Sequence, residues 1–223
     1  GADFSAPPST PDTFTVVDDT GGCTQFFGGN KSSFLGAFPP HPIAQVLSQQ
    51  EWEAMDKELC DSYNQSCWGK TPVICRACAL FPGTYLIVPL CLAIQCSDVR
   101  NTTMIETVAK LNKYFLEPRG LYMKRREYTD NAPGRSHPET FRWYAVATTP
   151  QAVSKLQAGE WVELEMGCCC ACCDANLQAE NTAAKVMAED DAEFRSRWAA
   201  MAGAGGSASA LPAVIPPIHH SNM

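Results

Sequence analysis

The sequence predicts an α+β fold in which two or three amphipathic helices and an apolar, membrane-apposed segment pack on a small antiparallel sheet, followed by a C-terminal acidic helix. Three observations predict it. Two stretches with apolar residues at helical spacing each follow a capping box, in which Ser or Thr precedes Glu by three residues. Two later stretches alternate as strands do. Between the helices lies a run without any charged residue, at positions 77–97.

Composition sets the class of protein before any motif is considered. The chain has 223 residues, of which 45% are apolar and 18% charged, and this excludes a globally disordered protein. The net charge of −7 argues against a general nucleic-acid binder. Shifts in composition divide the chain into a flexible arm (1–12), a cysteine-containing α+β domain (13–158), a cysteine cluster with an acidic helix (159–202) and a disordered tail (203–223).

The two amphipathic helices have start and stop signals. The first starts at the capping box Ser48–Glu51 and ends near Ser66. Its apolar side consists of Trp52, Met55, Leu59 and Tyr63. The second is expected to start at the capping box Thr103–Glu106 and to stop at Pro118 and Gly120. Its apolar side consists of Met104, Ile105, Val108, Leu111 and Phe115.

Three stretches are expected to form the sheet. Thr13–Val17 is a short strand candidate, and Leu121–Tyr128 and Phe141–Thr148 are expected to pair as a hairpin. The loop of that hairpin, Thr129–Thr140, is long and rich in turn residues. Further along the chain, Asp174–Met201 is rich in alanine and predicts a solvated helix.

The uncharged run at 77–97 is about long enough to cross a bilayer once, but Pro82-Gly83 and Pro89 interrupt it. A straight spanning helix is therefore not expected. Two interpretations stay open: a broken or re-entrant segment in the membrane interface, and a buried pair of core helices. The residues expected to contact a membrane or a partner protein are Cys75, Cys78, Leu86, Ile87, Val88, Cys91 and Cys96.

Two motifs predict lipid attachment. Gly1 has a serine four residues after it, Ser5, and this spacing matches the N-myristoylation pattern once an initiator Met is removed. A tag remnant or a processed terminus would also leave a glycine at this position. One myristoyl chain binds a membrane weakly, and a second lipid makes attachment stable. Clustered thiols suit S-acylation, with one fatty chain on each thiol. The thiols of the cluster are Cys168, Cys169, Cys170, Cys172 and Cys173.

Other roles for the cysteines stay open. The first twenty residues hold no apolar block, so no signal peptide is expected, and a reducing compartment with free or modified thiols is favoured. Metal binding by thiolates is the rival interpretation. Cys75-x-x-Cys78 has the spacing of a zinc ligand pair, but the four histidines are scattered, and we predict no metal and no other cofactor.

Sequence motifs of catalysis are missing from the chain. It contains no nucleophile elbow, no P-loop, no His-Glu-x-x-His and no dinucleotide-binding glycine pattern, so we predict no enzyme. Cys–His catalysis stays open as an alternative, because its two partners need not be close in sequence. One basic triplet, Lys124–Arg126, has two open interpretations. It either contacts anionic lipid headgroups or lies on a strand face in water.

Short motifs in a fixed order carry a resemblance to a known family. Phe38-Pro39 stands before the first helix, Trp52 takes an aromatic position on that helix, and the cysteine-containing apolar run follows. The pattern continues with Asn112, Pro118, Gly120 and Leu121 and closes with a strand that starts at Phe141. From about Phe26 to Thr148 the chain thereby resembles the golgin subfamily A member seven / Erf-four family, which includes the cysteine-rich hydrophobic domain proteins.

The resemblance implies a palmitoylated peripheral membrane protein, and some members of that family are non-catalytic partners of Asp-His-His-Cys acyltransferases. Two departures bear on that partnership more than on membrane attachment. The densest cysteine run lies beyond the similar region, and the apolar run contains two prolines.

The expected function is a lipid-anchored, non-catalytic adaptor on the cytosolic face of a membrane, whose partners are that membrane and one or more proteins but no nucleic acid. Two alternatives stay open. One is an accessory structural subunit of a large membrane protein complex. The other is a thiolate metal-binding protein.

Overall fold

The computed structural model describes residues 8–18, 31–70, 87–130, 139–158 and 181–204. The predicted α+β class is confirmed. In chain order the elements are β1 (Thr13–Asp18), a 3-10 turn (Pro42–Gln45), α1 (Gln49–Lys70), α2 (Ile87–Leu111), a π turn (Asn112–Leu116), a second 3-10 turn (Glu117–Arg119), β2 (Tyr122–Asp130), β3 (Glu139–Ala147), α3 (Pro150–Ala158), the helical residues 181–188 and α4 (Ala192–Ala204).

The sheet has β3 in the centre, with β1 and β2 paired antiparallel on its two sides. Ala147 of β3 lies opposite Thr13 of β1 and Tyr122 of β2. The predicted strands and the β2–β3 hairpin pairing are therefore confirmed. Because side chains alternate along a strand, Tyr144 faces the main core while Ala145 packs towards α3. The sheet is thus the middle layer between α3 and the other helices.

Helix α1 begins at the predicted capping box. The Ser48 N–H donates to Glu51 Oε2 at 2.8 Å, and the Glu51 N–H donates to Ser48 Oγ at 3.3 Å. The Glu51 carboxylate also pairs with Arg119 at 2.8 Å, which ties the start of α1 to the turn before β2. The predicted apolar side, Trp52, Met55, Leu59 and Tyr63, is buried.

The start of helix α2 differs from the predicted one. It starts at Ile87 and runs through to Leu111, so the capping box predicted at Thr103–Glu106 is not a helix start. Inside the helix the Thr103 carbonyl accepts a hydrogen bond from Thr107 Oγ1 at 2.8 Å. Pro89 is the third residue of α2, and a proline is tolerated there because the N–H groups of the first turn have no partner within the helix.

The end of this helical region follows the prediction. After Leu111 the chain continues through the π turn and the 3-10 turn that contains Pro118, and it leaves the helical conformation at Gly120. Gly120 has φ of +71°, a left-handed conformation that glycine adopts without strain. Leu121, directly after it, is buried in the core.

The C-terminal region corrects a second prediction. Instead of one solvated helix over Asp174–Met201, its described part has helical residues 181–188 and then α4. Phe194 and Trp198 of α4 are buried in the main core, because their spacing of four residues places both rings on one face. Trp198 packs on Phe115, with ring centroids 4.6 Å apart.

The break before α4 is held by polar contacts with α2 and the π turn. Asp191 caps α4, since its Oδ1 accepts the Phe194 N–H at 2.9 Å, and its other oxygen, Oδ2, pairs with Lys110 at 2.7 Å. The ammonium of Lys113 donates to the carbonyls of Val186 and Met187 at 3.3 and 2.8 Å, which caps the end of the helical residues 181–188.

Candidate functional site

Most of the predicted lipid and contact residues lie outside the described residues. These are Gly1, Cys75, Cys78, Leu86 and the cluster Cys168, Cys169, Cys170, Cys172 and Cys173. Ile87, Val88, Cys91 and Cys96 lie in the N-terminal half of α2, and their side chains are outside the described part. The lipidation and contact sites therefore stay predictions.

Two general features are determined for the described part of the chain. None of its helices is both long enough and apolar enough to span a bilayer. Within the same residues, no group of three or more His, Cys, Asp or Glu side chains is arranged to hold a metal ion.

Cys60 is a buried free thiol of α1 that sequence analysis did not single out. Burial, and after it the neighbouring carboxylates Asp56 and Asp61, raise the pKa of this thiol to about 11. A thiol with so little thiolate at neutral pH is a poor nucleophile and a poor acceptor of an acyl chain. Cys60 therefore acts as a small apolar core residue.

The first group of family-motif residues packs at the start of α1. Phe38 lies 6.3 Å from the Trp52 ring, centroid to centroid, and Pro39 is buried beside them. Trp52 is fully buried, and its Nε1–H donates to the Gly36 carbonyl at 3.2 Å. These residues fix the loop that precedes α1.

The second group, with Pro118, Gly120 and Leu121 at the turn described above, joins α2 to the sheet. The amide of Asn112 forms two hydrogen bonds with the backbone of Met123: its Nδ2 donates to the Met123 carbonyl at 2.7 Å, and its Oδ1 accepts the Met123 N–H at 2.8 Å. The motif residues thus hold the fold together, and the described geometry places none of them in a reactive arrangement.

A cleft of about 450 Å³ runs along the outer edge of β2, a volume within the usual range for small-molecule sites. The Asn112 bonds show that the Met123 N–H and carbonyl point away from β3, towards this cleft. By the antiparallel alternation, the backbone groups of Arg125 point the same way. Apolar residues of the lining are Ile105, Val108, Ala109, Met123, Ala158, Ala183 and Met187.

The charged residues in the described lining of the cleft are mostly basic. Its basic residues, called the basic wall, are Lys124, Arg125 and Arg126. Arg125 lies on the face of β2 towards the main core, and Lys124 and Arg126 lie on the face towards α3. Lys124 Nζ donates to the Leu156 carbonyl at 3.2 Å, so its ammonium is held at the side of β2 that faces α3. Glu117 is the one acidic residue among the described residues of the lining, and burial raises the pKa of its carboxyl, which disfavours its negative charge. An apolar floor beside a basic wall suits a ligand with an acyl part and an anionic head.

A second cleft, of about 290 Å³, lies between α1, α2 and α4 and is polar. Four of its charged side chains form two ion pairs. Lys110 pairs with Asp191 at 2.7 Å, and Arg197 pairs with Glu58 at 3.0 Å. These pairs connect α4 to the other two helices, so this cleft is a helix contact and not the candidate site.

Sequence analysis identified only part of the candidate site. The triplet Lys124–Arg126 was singled out, and Ile105 and Val108 belonged to a predicted apolar stripe. Sequence analysis did not predict that these residues line one cleft, because nothing local in the sequence indicates contacts between α2, β2, α3 and residues 181–188. Arg100, a buried arginine of α2, was missed for the same reason.

No protein-family model matches the chain, and the comparisons with curated proteins and with solved structures give no match either. The resemblance to the golgin subfamily A member seven / Erf-four family therefore stays a prediction. The function is argued below from the residues and their geometry.

Proposed function

We propose that this protein is a lipid-anchored, non-catalytic membrane adaptor. The observation that carries the proposal is the position of the basic, apolar-floored cleft relative to the cysteine cluster. Ala158 and Ala183 both line the cleft, and the chain between them contains Cys168–Cys173. About ten residues separate the cluster from the cleft on each side, a tether of at most about 35 Å.

This short connection supports the proposal that the cysteine cluster and the basic cleft face the membrane on the same side of the protein. Acyl chains on the cluster would hold the protein at a bilayer, with the basic wall within reach of the headgroups. A basic side chain near an anionic surface contributes about 1 kcal/mol. A myristoyl chain on Gly1 would add a second anchor, and two lipids give stable attachment where one gives reversible binding.

Intact mass tests the proposal. The full chain is expressed in eukaryotic cells with a Met before Gly1, and its mass is measured before and after hydroxylamine, which cleaves thioesters and leaves an amide-linked myristoyl group. We expect loss of acyl mass that maps to Cys168–Cys173, and recovery of the protein with membranes. A matched variant with all five cluster cysteines changed to Ser should move to the soluble fraction. An unmodified mass together with a fully soluble protein would refute the anchor.

An accessory subunit of a membrane protein complex is the second candidate. It is favoured by Val17 on the outer strand β1, which is 54% exposed, since an edge strand with an exposed apolar side chain can pair with another chain. Purification from native membranes separates the two candidates. A subunit co-purifies in fixed stoichiometry with a large assembly, and an adaptor does not.

A further inference from the structure

Arg100 of α2 carries a buried charge with no anionic partner in the described part of the chain. The residue is 5% exposed. Its guanidinium lies over the Tyr63 ring, with Cζ 4.5 Å from the centroid, and its Nη1 is 3.5 Å from the Tyr63 hydroxyl. Its Nε is buried and has no hydrogen-bond partner.

Arg125 of β2, like Arg100, has a buried Nε without a hydrogen-bond partner in the described part of the chain. Its Nη1 donates to the side-chain oxygen of Asn101, the residue that follows Arg100 on α2. No described carboxylate forms an ion pair with the Arg125 guanidinium. Arg125 lines the basic cleft, whereas Arg100 is buried and is not among the residues that line it.

A row of three aromatic rings, Tyr63, Phe34 and Tyr144, leads from Arg100 to the strand neighbour of Arg125. Tyr63 packs on Phe34 with ring centroids 5.3 Å apart, and Phe34 packs on Tyr144 at 5.9 Å. Tyr144 lies directly opposite Arg125 in the sheet. Ring contacts thus lead from Arg100 through Tyr63 and Phe34 to Tyr144, the strand neighbour of Arg125, and Asn101 links Arg125 to the residue next to Arg100.

Burial of the Arg100 guanidinium without a counter-charge is costly, since a buried charge left unpaired destabilises a fold by several kcal/mol. The partly buried Arg125 guanidinium adds to this cost. An anion between them would remove this cost. Arginine forms planar, forked hydrogen bonds that match the oxygens of carboxylate and phosphate groups. The donors here comprise two unpartnered Nε–H groups besides the remaining guanidinium N–H groups. A phosphate monoester offers three terminal oxygens to such donors, and a carboxylate offers two.

We propose that Arg100 and Arg125 bind a phosphate monoester. Two sources share this chemistry, a soluble phosphate compound and the headgroup of an anionic lipid. The apolar floor of the adjoining cleft favours the lipid, and only that source rests on the proposed membrane function. Binding of the phosphate group itself is independent of lipid attachment.

The test uses the full chain without acylation and inorganic phosphate as the probe. Melting temperature is measured against phosphate concentration at constant ionic strength, because a ligand that binds only the folded state raises it. We expect a saturable rise for the unsubstituted protein. Arg125→Gln should weaken the apparent affinity by about tenfold or more, the size expected for lost hydrogen bonds to a charged group. Arg195→Gln removes the same charge from an exposed position of α4 and should leave the affinity within about twofold of the unsubstituted protein, as an exposed charge contributes little.

Two further variants keep the test decisive if Arg125→Gln folds poorly. Arg125→Lys retains the charge, loses the fork and should still weaken phosphate binding. Arg100→Met replaces the buried charge by an apolar chain, so it should melt at a higher temperature than the unsubstituted protein without phosphate and show no phosphate-dependent rise. No saturable rise in the unsubstituted protein, or equal loss in Arg125→Gln and Arg195→Gln, would overturn the site.

Vesicles then distinguish the two sources. Co-sedimentation is compared between vesicles containing phosphatidic acid, which carries a phosphate monoester, and phosphatidylserine vesicles of the same surface charge. Stronger binding to phosphatidic acid, lost in Arg125→Gln, supports the lipid headgroup. Equal binding to both, together with a saturable response to inorganic phosphate, supports a soluble ligand at the same two arginines.

Discussion

Trp198 of α4 packs on Phe115 of the π turn, with ring centroids 4.6 Å apart, and Arg119 lies over the same Phe115 ring with its Cζ 3.9 Å from the centroid. The C-terminal helix therefore closes the main core and is not an appendage on its surface. The polar contacts of Asp191 and Arg197 hold it in the same place.

Trp198→Ala should lower the free energy of unfolding by about 3–5 kcal/mol, because the change leaves a large cavity in a packed core. Ser196→Ala is the matched control on the same helix, since Ser196 is exposed and bonds only to the Glu193 carbonyl. Urea unfolding followed by circular dichroism measures both. A Trp198→Ala variant as stable as the Ser196→Ala variant would show that α4 does not pack on Phe115.

Asn112→Ala should destabilise the protein by about 1–3 kcal/mol for each Met123 backbone group that is left buried without a partner. Asn64 provides a matched control, because its amide forms the same pair of bonds with the Lys31 backbone, at 2.9 and 3.0 Å, in a less buried place. Asn64→Ala should cost less, since water can replace the lost bonds. Equal losses in the two variants would contradict the role assigned to burial.

Asp191→Ala should cost about 0.5–2 kcal/mol at neutral pH for the lost helix cap alone. Asp191→Asn keeps the cap and loses the charge. The hydrogen bond from Lys110 comes first among the contacts that lower the pKa of Asp191, followed by the bond from the Phe194 N–H. The folded state therefore holds this proton less tightly than the unfolded chain does, and the stabilisation is present above the usual aspartate pKa and is lost as pH falls through the lowered value.

The free energy of unfolding, measured as a function of pH, tests whether the Asp191 contribution is lost at low pH. As pH falls below about 4, near the ordinary aspartate pKa, the unsubstituted protein should lose stability more steeply than Asp191→Asn does. Parallel curves for the two proteins would show that Lys110 and Asp191 do not interact in solution.

Cys60 should be alkylated by iodoacetamide about a hundredfold more slowly in the folded protein than in the unfolded chain at pH 8, since its pKa rises from 9.0 to about 11. Peptide mass mapping of briefly labelled protein measures this. Because the folded pKa is the higher one, stability is unaffected by this thiol below pH 9 and falls between about pH 9 and 11. Cys60→Ala should lack that alkaline loss, and the same loss in both proteins would assign it to another group.

Local signals predicted the parts of the fold that they control. The Ser48–Glu51 capping box located the start of α1 because both of its hydrogen bonds lie within one turn. Alternation located the strands, since it reflects burial on the two faces of a sheet. The similar pattern at Thr103–Glu106 predicted a helix start that is wrong, because the helix already begins at Ile87 and the Thr103 carbonyl accepts a hydrogen bond inside it.

Long-range contacts account for what sequence analysis missed. The alanine-rich stretch around α4 indicated a solvated helix, yet Phe194, Trp198 and the partly buried Met201 pack one face of it on the main core. The cleft brings Ile105, Arg125 and Ala183 together, and no pattern in the chain couples positions so far apart. Arg100 likewise gives no sign of burial in its own neighbourhood of the sequence.

The contact between α4 and the π turn also has a consequence for biosynthesis. A ribosome delivers the chain from its N-terminus, and domains acquire their structure as their residues emerge. Phe115 and Leu116 belong to the same buried cluster as Phe194 and Trp198. Until residue 198 has left the exit tunnel, those two side chains lack their covering helix, and the nascent chain presents an apolar surface to which chaperones can bind. The main core is therefore completed only after α1, α2 and the sheet have already been synthesised.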